Sequence, residues 1–251
     1  AVYGDIDLRF VSDIDKDVNT LLAHHHPNTR NLGDLTVVKW QDVEPVDVLT
    51  AGYPCQPFST AGKRKGLDDE RAIFEYIANG ISVLRPRNVL LENVSGHVTL
   101  GGTAVIATLT KLGYNSRWGI IRAADTGAPH KRARLFIWAH ISDAKKLYGG
   151  PTQPETMETT IKQTSKFRES TCTFERWGNI IGRQRPDYAT EDKRVNPIFV
   201  EWMMGLSEGY VTGLDLSYSA KLKILGNGVV PQQAALAIKL LTERGYYATS
   251  A

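Results

Sequence analysis

Four short stretches carry the residues able to do chemistry. Gly52-Tyr53-Pro54-Cys55-Gln56-Pro57-Phe58-Ser59 puts a cysteine on a proline-flanked turn directly after the apolar run Val46–Leu49. A cysteine at the mouth of a strand sits where open α/β sheets keep their ligands. A thiolate nucleophile needs such a half-exposed setting. A lone cysteine is more often a small core residue, but two prolines and a glycine make a loop that packs poorly. Leu90-Leu91-Glu92-Asn93-Val94 leaves a carboxyl group at the end of another apolar strand. His130-Lys131-Arg132-Ala133-Arg134 sets two guanidinium groups just before the strand Leu135–Trp138, and Leu225-Gly226-Asn227-Gly228-Val229-Val230-Pro231 forms a glycine-rich turn near the C-terminus.

The elements that must position these groups alternate from Leu8 to Asp143. Strands are expected at Leu8–Ser12, Val46–Leu49, Val89–Glu92, Trp118–Arg122 and Leu135–Ala139. Helices are expected at Val18–His24, Ile73–Leu84 and Gly102–Leu112, with Ile73, Tyr76, Ile77, Ile81 and Leu84 at the spacing of one packed face. Apolar strands alternating with amphipathic helices predict an α/β fold, a parallel sheet with helices on both faces. From Ser142 to about Arg194 polar residues dominate with little periodicity, which reads as an irregular insertion. An apolar helical pattern resumes over Asn196–Leu206, and a closing helix follows Pro231 over Gln232–Arg244.

The chain of 251 residues is 42% hydrophobic, enough for one large α/β domain with a small appendage. No apolar run approaches the ~20 residues that span a bilayer. Two cysteines far apart make no disulfide framework, so a reducing cytoplasm fits. Residues 144–194 hold ten Lys/Arg against seven Asp/Glu, and the rest of the chain holds twenty of each. The small net charge of +3 therefore lies in the least regular segment, a solvated surface bias that is also compatible with phosphate contacts. The run His24-His25-His26 has no cysteine or acid spaced to complete a metal site, so no metal is expected.

In order and spacing, the four stretches resemble the Pro-Cys loop, the Glu-Asn-Val strand end, the Arg-x-Arg segment and the Gly-Asn-x-Val segment of cytosine-C5 DNA methyltransferases. The resemblance runs from about Phe10 to Leu241. It implies the Rossmann-like fold of S-adenosylmethionine-dependent methyltransferases and a double-stranded DNA substrate. The implied setting is the cytoplasm of a bacterium or phage-infected cell, with a cognate restriction endonuclease as a conceivable partner. A catalytic domain over 1–143, a short target-recognition region over 144–194 and a returning segment over 195–251 are expected.

The resemblance also implies roles. Cytosine C5 is a poor nucleophile, and adding a thiolate at C6 turns it into an enamine-like carbon. Cys55 is the candidate, with Pro54 fixing its turn. Glu92, kept protonated by its apolar strand end, would hydrogen-bond N3, and Arg134 would stand near O2. A salt bridge from Arg134 to a local acid is the plainer reading of that residue. Arg132 is expected to brace the site. The base must leave the duplex to be reached. Gln56, Ser59 and the basic run Lys63-Arg64-Lys65 would then lie against DNA, although such a run is as readily a solvated surface. For S-adenosylmethionine, Asp13 would take the ribose hydroxyls, Ile14 the adenine face, Asp34 the adenine amino group, and Asn227 and Gly228 the methionine side. Without the family frame, each aspartate reads as a cap or turn residue.

Three departures follow. His130 stands where the family usually has Gln, and the helix start Arg71-Ala72-Ile73-Phe74 is slightly shortened. No Phe-x-Gly-x-Gly loop precedes Leu8. The expectation is an incomplete N-terminus and weak binding of S-adenosylmethionine by this chain. A tRNA cytosine-C5 methyltransferase and a truncated, non-catalytic DNA-binding remnant are the alternatives.

Overall fold

The computed structural model describes residues 6–54, 71–141 and 171–243. Strand β1 (Phe10–Val11) pairs in parallel with β2 (Arg30–Asn31), and helix α1 (Lys16–His25) connects them. The sequence pattern does not announce β2, whose two residues are both exposed. Asp15 caps α1 by accepting from the amides of Asp17 and Val18, satisfying donors that the first helical turn leaves free.

The main sheet contains β3 (Val48–Gly52), β4 (Asn88–Val94), β5 (Tyr114–Arg122) and β6 (Ala133–Ile141), in the order β3-β4-β6-β5. Helix α2 (Arg71–Leu84) connects β3 to β4, and α3 (Thr103–Lys111) precedes β5. The expectation of a parallel sheet is corrected here. Only β3 and β4 pair in parallel, and β6 runs antiparallel to both of its neighbours. Residues 123–132 between β5 and β6 hold a single 3₁₀ turn at Ala123–Thr126. A link that short cannot make the helical crossover that parallel pairing requires, so the chain turns straight back.

Strand β6 is buried on both faces, as a central strand must be. Its Leu135, Ile137 and Ala139 pack with Val89 and Leu91 of β4 against α2 and α3. Phe136 and Trp138 face the other way, onto Ala237, Leu240 and Leu241 of a helix we label α7 (Pro231–Thr242). Period-two alternation thus feeds two cores from one strand. Gly80 lets α2 close on Trp40, since a Cβ there would stand 2.7 Å from the indole ring.

The stretch expected to be irregular contains helix α4 (Thr171–Ile181), which is a second correction. Its Trp177 is fully buried with Phe199 and Trp202 of α5 (Pro197–Met203) and with Ala123 and Ala128, and its indole N–H donates to the Trp202 carbonyl at 2.9 Å. The polar residues around Trp177 and Phe174 hide the amphipathic face. Helix α6 (Tyr218–Asn227) starts on the Ser217 cap, and α7 starts on Pro231.

Ile137→Ala is expected to cost about 2–5 kcal/mol of stability through lost burial and the cavity left behind. Val37→Ala, at a site 73% exposed, should stay within about 0.5 kcal/mol of the parent. Urea denaturation of the two variants checks both.

Candidate active site

The end of β4 and the start of β6 bring together two of the expected site residues, Glu92 and Arg134. The antiparallel register pairs Val94 with Arg134 and Glu92 with Phe136. The Arg134 Nε lies 2.9 Å from Glu92 Oε1, with both side chains less than one-fifth exposed. The local acid that could have claimed Arg134 is therefore Glu92 itself. Burial pushes the Glu92 carboxyl above its ordinary pKa, against the downward pull of the Arg134 and Arg132 charges. Burial also lowers the Arg132 guanidinium, with Arg134 adding to the effect.

The strand leading to Cys55 is held against this pair. Gly52 is the register partner of Glu92, and a Cβ at Gly52 would stand 3.3 Å from Glu92 Oε2. The Asn93 amide donates to the Tyr53 carbonyl at 3.0 Å, and the Tyr53 hydroxyl is 3.0 Å from His97 Nε2. Burial lowers the His97 pKa, which favours the neutral ring. Pro54 is exposed at the end of this anchored stretch. Cys55, Gln56, Ser59, Lys63, Arg64 and Lys65 lie outside the described residues.

Arg132 points away from Glu92 toward the C-terminal turn. Its Nη2 donates to the carbonyls of Gly226 at 2.8 Å and Gly228 at 2.5 Å. His130 Nε2 is 2.9 Å from the Met203 carbonyl, tying the same segment to α5. Asn227 ends α6 and is exposed, with Gly228 as the capping residue.

The expected cofactor acids lie on neighbouring loops. The Asn31 side chain bonds the Asp13 backbone, and the Ser12 hydroxyl donates to the Gly33 carbonyl at 2.7 Å. One Asp13 oxygen accepts from the Asp15 amide, and one Asp34 oxygen accepts from the Thr36 amide, each at 2.8 Å. Both aspartates thus shape turns, and the Thr36 bonds hold the Asp34 carboxyl below its ordinary pKa. Ile14 between them is 72% exposed, an apolar surface beside two acids. Lys223 of α6 pairs with Asp15 at 2.5 Å, drawing the helix that ends in Asn227 toward the β1 loop. Asp13 and Asp34 are thus engaged in their own turns, Ile14 is exposed beside Asp13, and Asn227 is exposed at the end of α6.

Sequence reasoning missed Tyr53, His97 and Gln233. Tyr53 stands within a quoted stretch, next to Pro-Cys, and His97 lies three residues beyond Glu-Asn-Val, and those placements were the available signals. Gln233 reads as an ordinary first-turn residue of a helix, and nothing in the pattern flags it.

An α/β sheet with helices on both faces is a Rossmann-like arrangement, and this one carries a half-buried carboxyl–guanidinium pair at its strand ends. Solved structures agree on the fold: the DNMT2 of Spodoptera frugiperda is 17% identical with a TM-score of 0.65, covering 94% of this chain and 92% of that one. The Dnmt2 methyltransferase of S. pombe is likewise 17% identical with a TM-score of 0.62, at the same coverage of 94% and 92%. A family model of C-5 cytosine-specific DNA methylases matches residues 3–201, and the chain belongs to that family. It is 35% identical over 150 residues to the Type II methyltransferase M.NlaIV of Neisseria lactamica, covering 55% of this chain and 36% of that protein. It is 38% identical over 220 residues to the Type II methyltransferase M1.ScrFI of Lactococcus lactis subsp. cremoris, covering 83% and 55%. The chain thus spans roughly one-third to one-half of the length of these relatives.

Arg134→Met removes a charge that holds the Glu92 pKa down, so that pKa should rise further. An acid whose folded pKa exceeds its unfolded value binds more protons when folded, and stability then falls as pH rises between the two values. The urea midpoint of Arg134→Met should therefore fall more steeply than the parent's as pH rises above the ordinary glutamate value of ~4.3. Adding Glu92→Gln should remove the difference.

Proposed function

We propose that this chain is the catalytic portion of a DNA cytosine-C5 methyltransferase that moves a methyl group from S-adenosylmethionine to a flipped cytosine. The observation that carries this reading is the half-buried Glu92–Arg134 pair, 2.9 Å apart, beside the strand that leads into Pro54-Cys55. Family membership supplies the substrate class.

The Cys55 thiolate adds to C6, and the electron pair of the 5,6 double bond moves toward N3 and O2. Glu92, with its pKa raised by burial, donates a hydrogen bond or proton to N3. Arg134 sets its positive charge beside the oxygen that gains negative character. C5, now enamine-like, would take the methyl group from the sulfonium of S-adenosylmethionine, whose S–CH3 bond breaks to leave S-adenosylhomocysteine. Water would then take the C5 proton, N3 would return its proton to Glu92, and the C6–S bond would break to restore the 5,6 double bond and free the thiolate. Asp13 and Asp34 would hold ribose and adenine, Ile14 the adenine face, and Asn227 with Gly228 the amino acid tail. Pro54 would stiffen the nucleophile turn. Gln56, Ser59, Lys63, Arg64 and Lys65 would meet DNA, and residues 144–194 would serve as the target-recognition region. Any restriction endonuclease partner would share that target sequence.

Duplex DNA with 5-fluorocytosine at the target position tests the covalent step, because fluorine blocks the final elimination. With S-adenosylmethionine supplied at a concentration that offsets the weak binding expected of this chain, a trapped protein–DNA adduct is expected with the parent and none with Cys55→Ser. An adduct that survives Cys55→Ser would show a different nucleophile, and methylation of tRNA in place of DNA would change the substrate class. The neutral Glu92 carboxyl is the active form, so methyl transfer should fall as pH rises through its raised pKa. In Glu92→Gln, methyl transfer should drop about 100-fold or more and lose that limb of the pH profile.

A further inference from the structure

We propose that Gln233 is a positioning residue that locks Arg132 and Arg134 to the C-terminal turn, so that the base-handling and cofactor-handling halves of the site move as one. This rests on the methyltransferase reading above and adds a residue to it. Gln233 lies on the first turn of α7 and is fully buried. Its Nε2 donates twice, to the Ile121 carbonyl at 2.7 Å and to the Arg132 carbonyl at 2.8 Å. Ile121 is the cross-strand partner of Arg134, and Arg132 is two residues before it. One amide therefore grips the backbone on two sides of Arg134.

The gripped backbone is strained. Arg132 has φ of 35°, in the left-handed region that a side chain with a Cβ rarely enters. Such a conformation persists only where its surroundings enforce it, and three contacts do so here. Gln233 holds the Arg132 carbonyl, the Ala123 amide donates to the Lys131 carbonyl at 2.9 Å, and the Arg132 side chain holds Gly226 and Gly228. The last contact closes the loop. Helix α7 holds the Arg132 backbone through Gln233, while Arg132 holds the turn between α6 and α7 that carries Asn227.

The arrangement also carries a cost that plain packing would avoid. The Gln233 Oε1 and the Arg132 Nε are buried without a hydrogen-bond partner among the described residues. A buried polar atom left so is unfavourable, and an apolar side chain of similar size at 233 would remove one of the two. What the amide supplies in return is the pair of donors that fix the carbonyls on either side of Arg134.

Gln233→Met keeps the volume and removes both donors. Hydrogen–deuterium exchange of the full chain should show faster exchange in residues 131–134 and 226–230 together, with α3 unchanged. In methyl transfer, kcat should fall about 10–100-fold, the size of effect that sub-ångström misplacement of a reacting group produces, with KM for DNA changed less than about 3-fold. Arg132→Lys, which leaves the Gln233 bonds in place, should loosen 226–230 alone. Unchanged exchange in both segments of Gln233→Met, or a uniform rise across the chain, would overturn the proposal. Should Gln233→Met not fold, the Gln233 side-chain amide protons of the parent chain decide: exchange as slow as that of residues 131–134 supports the clamp, and exchange at the rate of a free side-chain amide overturns it. A parent chain that methylates no cytosine would count against the methyltransferase reading, while the exchange data would still decide the role of Gln233.

Discussion

The Glu92–Arg134 ion pair sets a condition that the rest of the sheet has to meet. Glu92 stands near the end of β4 and Arg134 near the start of β6. The two meet only because β6 runs antiparallel to β4, which brings the beginning of one strand beside the end of the other. Were β6 parallel, Arg134 would sit at the opposite rim of the sheet, about 20 Å away at ~3.3 Å per residue. The short 123–132 link that reverses the chain is therefore a requirement of the site as well as of the topology. Both faces of β6 are packed, so the register that aligns Val94 with Arg134 cannot slip by one residue without turning Leu135, Ile137 and Ala139 onto the wrong core.

The local charge balance follows from the same geometry. One carboxyl group shares a half-buried site with two guanidinium groups, and burial works against the ionised carboxylate. Protonating Glu92 leaves Arg134 as the cation beside it, a setting suited to a group that gains electron density. The Arg132 side chain is engaged by the carbonyls of Gly226 and Gly228, so the two arginines divide the work. Arg134 pairs with Glu92, and Arg132 ties the start of β6 to the C-terminal turn. The Lys223–Asp15 pair extends the frame to the β1 loop, linking Asp13 and Ile14 to Asn227 through α6.

Much of this was legible in the sequence because the chemistry sits at strand ends, where an apolar run stops at a polar residue. The strands expected at Val46–Leu49 and Val89–Glu92 both read that way; in the structure the first is displaced toward Pro54, to Val48–Gly52, and the second lengthens at both ends to Asn88–Val94. The direction of β6 was not legible from periodicity, because alternation is the same for either direction. The signal lay in the shortness of the link after Arg122. Helix α4 escaped because its apolar positions Phe174, Trp177 and Ile181, although at helical spacing, follow a long polar stretch with no period of its own. Gln233 escaped for a deeper reason: its role depends on carbonyls of Ile121 and Arg132, more than a hundred residues away. The cofactor acids were placed by resemblance alone, and locally Asp13 and Asp34 do what turn aspartates do everywhere.

The most direct test of the account is the titration of the Glu92 carboxyl itself, followed by carbon-13 NMR in a chain labelled at glutamate and assigned by comparison with Glu92→Gln. Desolvation outweighing the two arginines predicts an inflection above the ordinary glutamate value of ~4.3, moving higher still in Arg134→Met. An inflection at or below that value would mean that the ion pair dominates. Glu92 would then be a permanent carboxylate bridging two strands, with no proton to offer a cytosine ring.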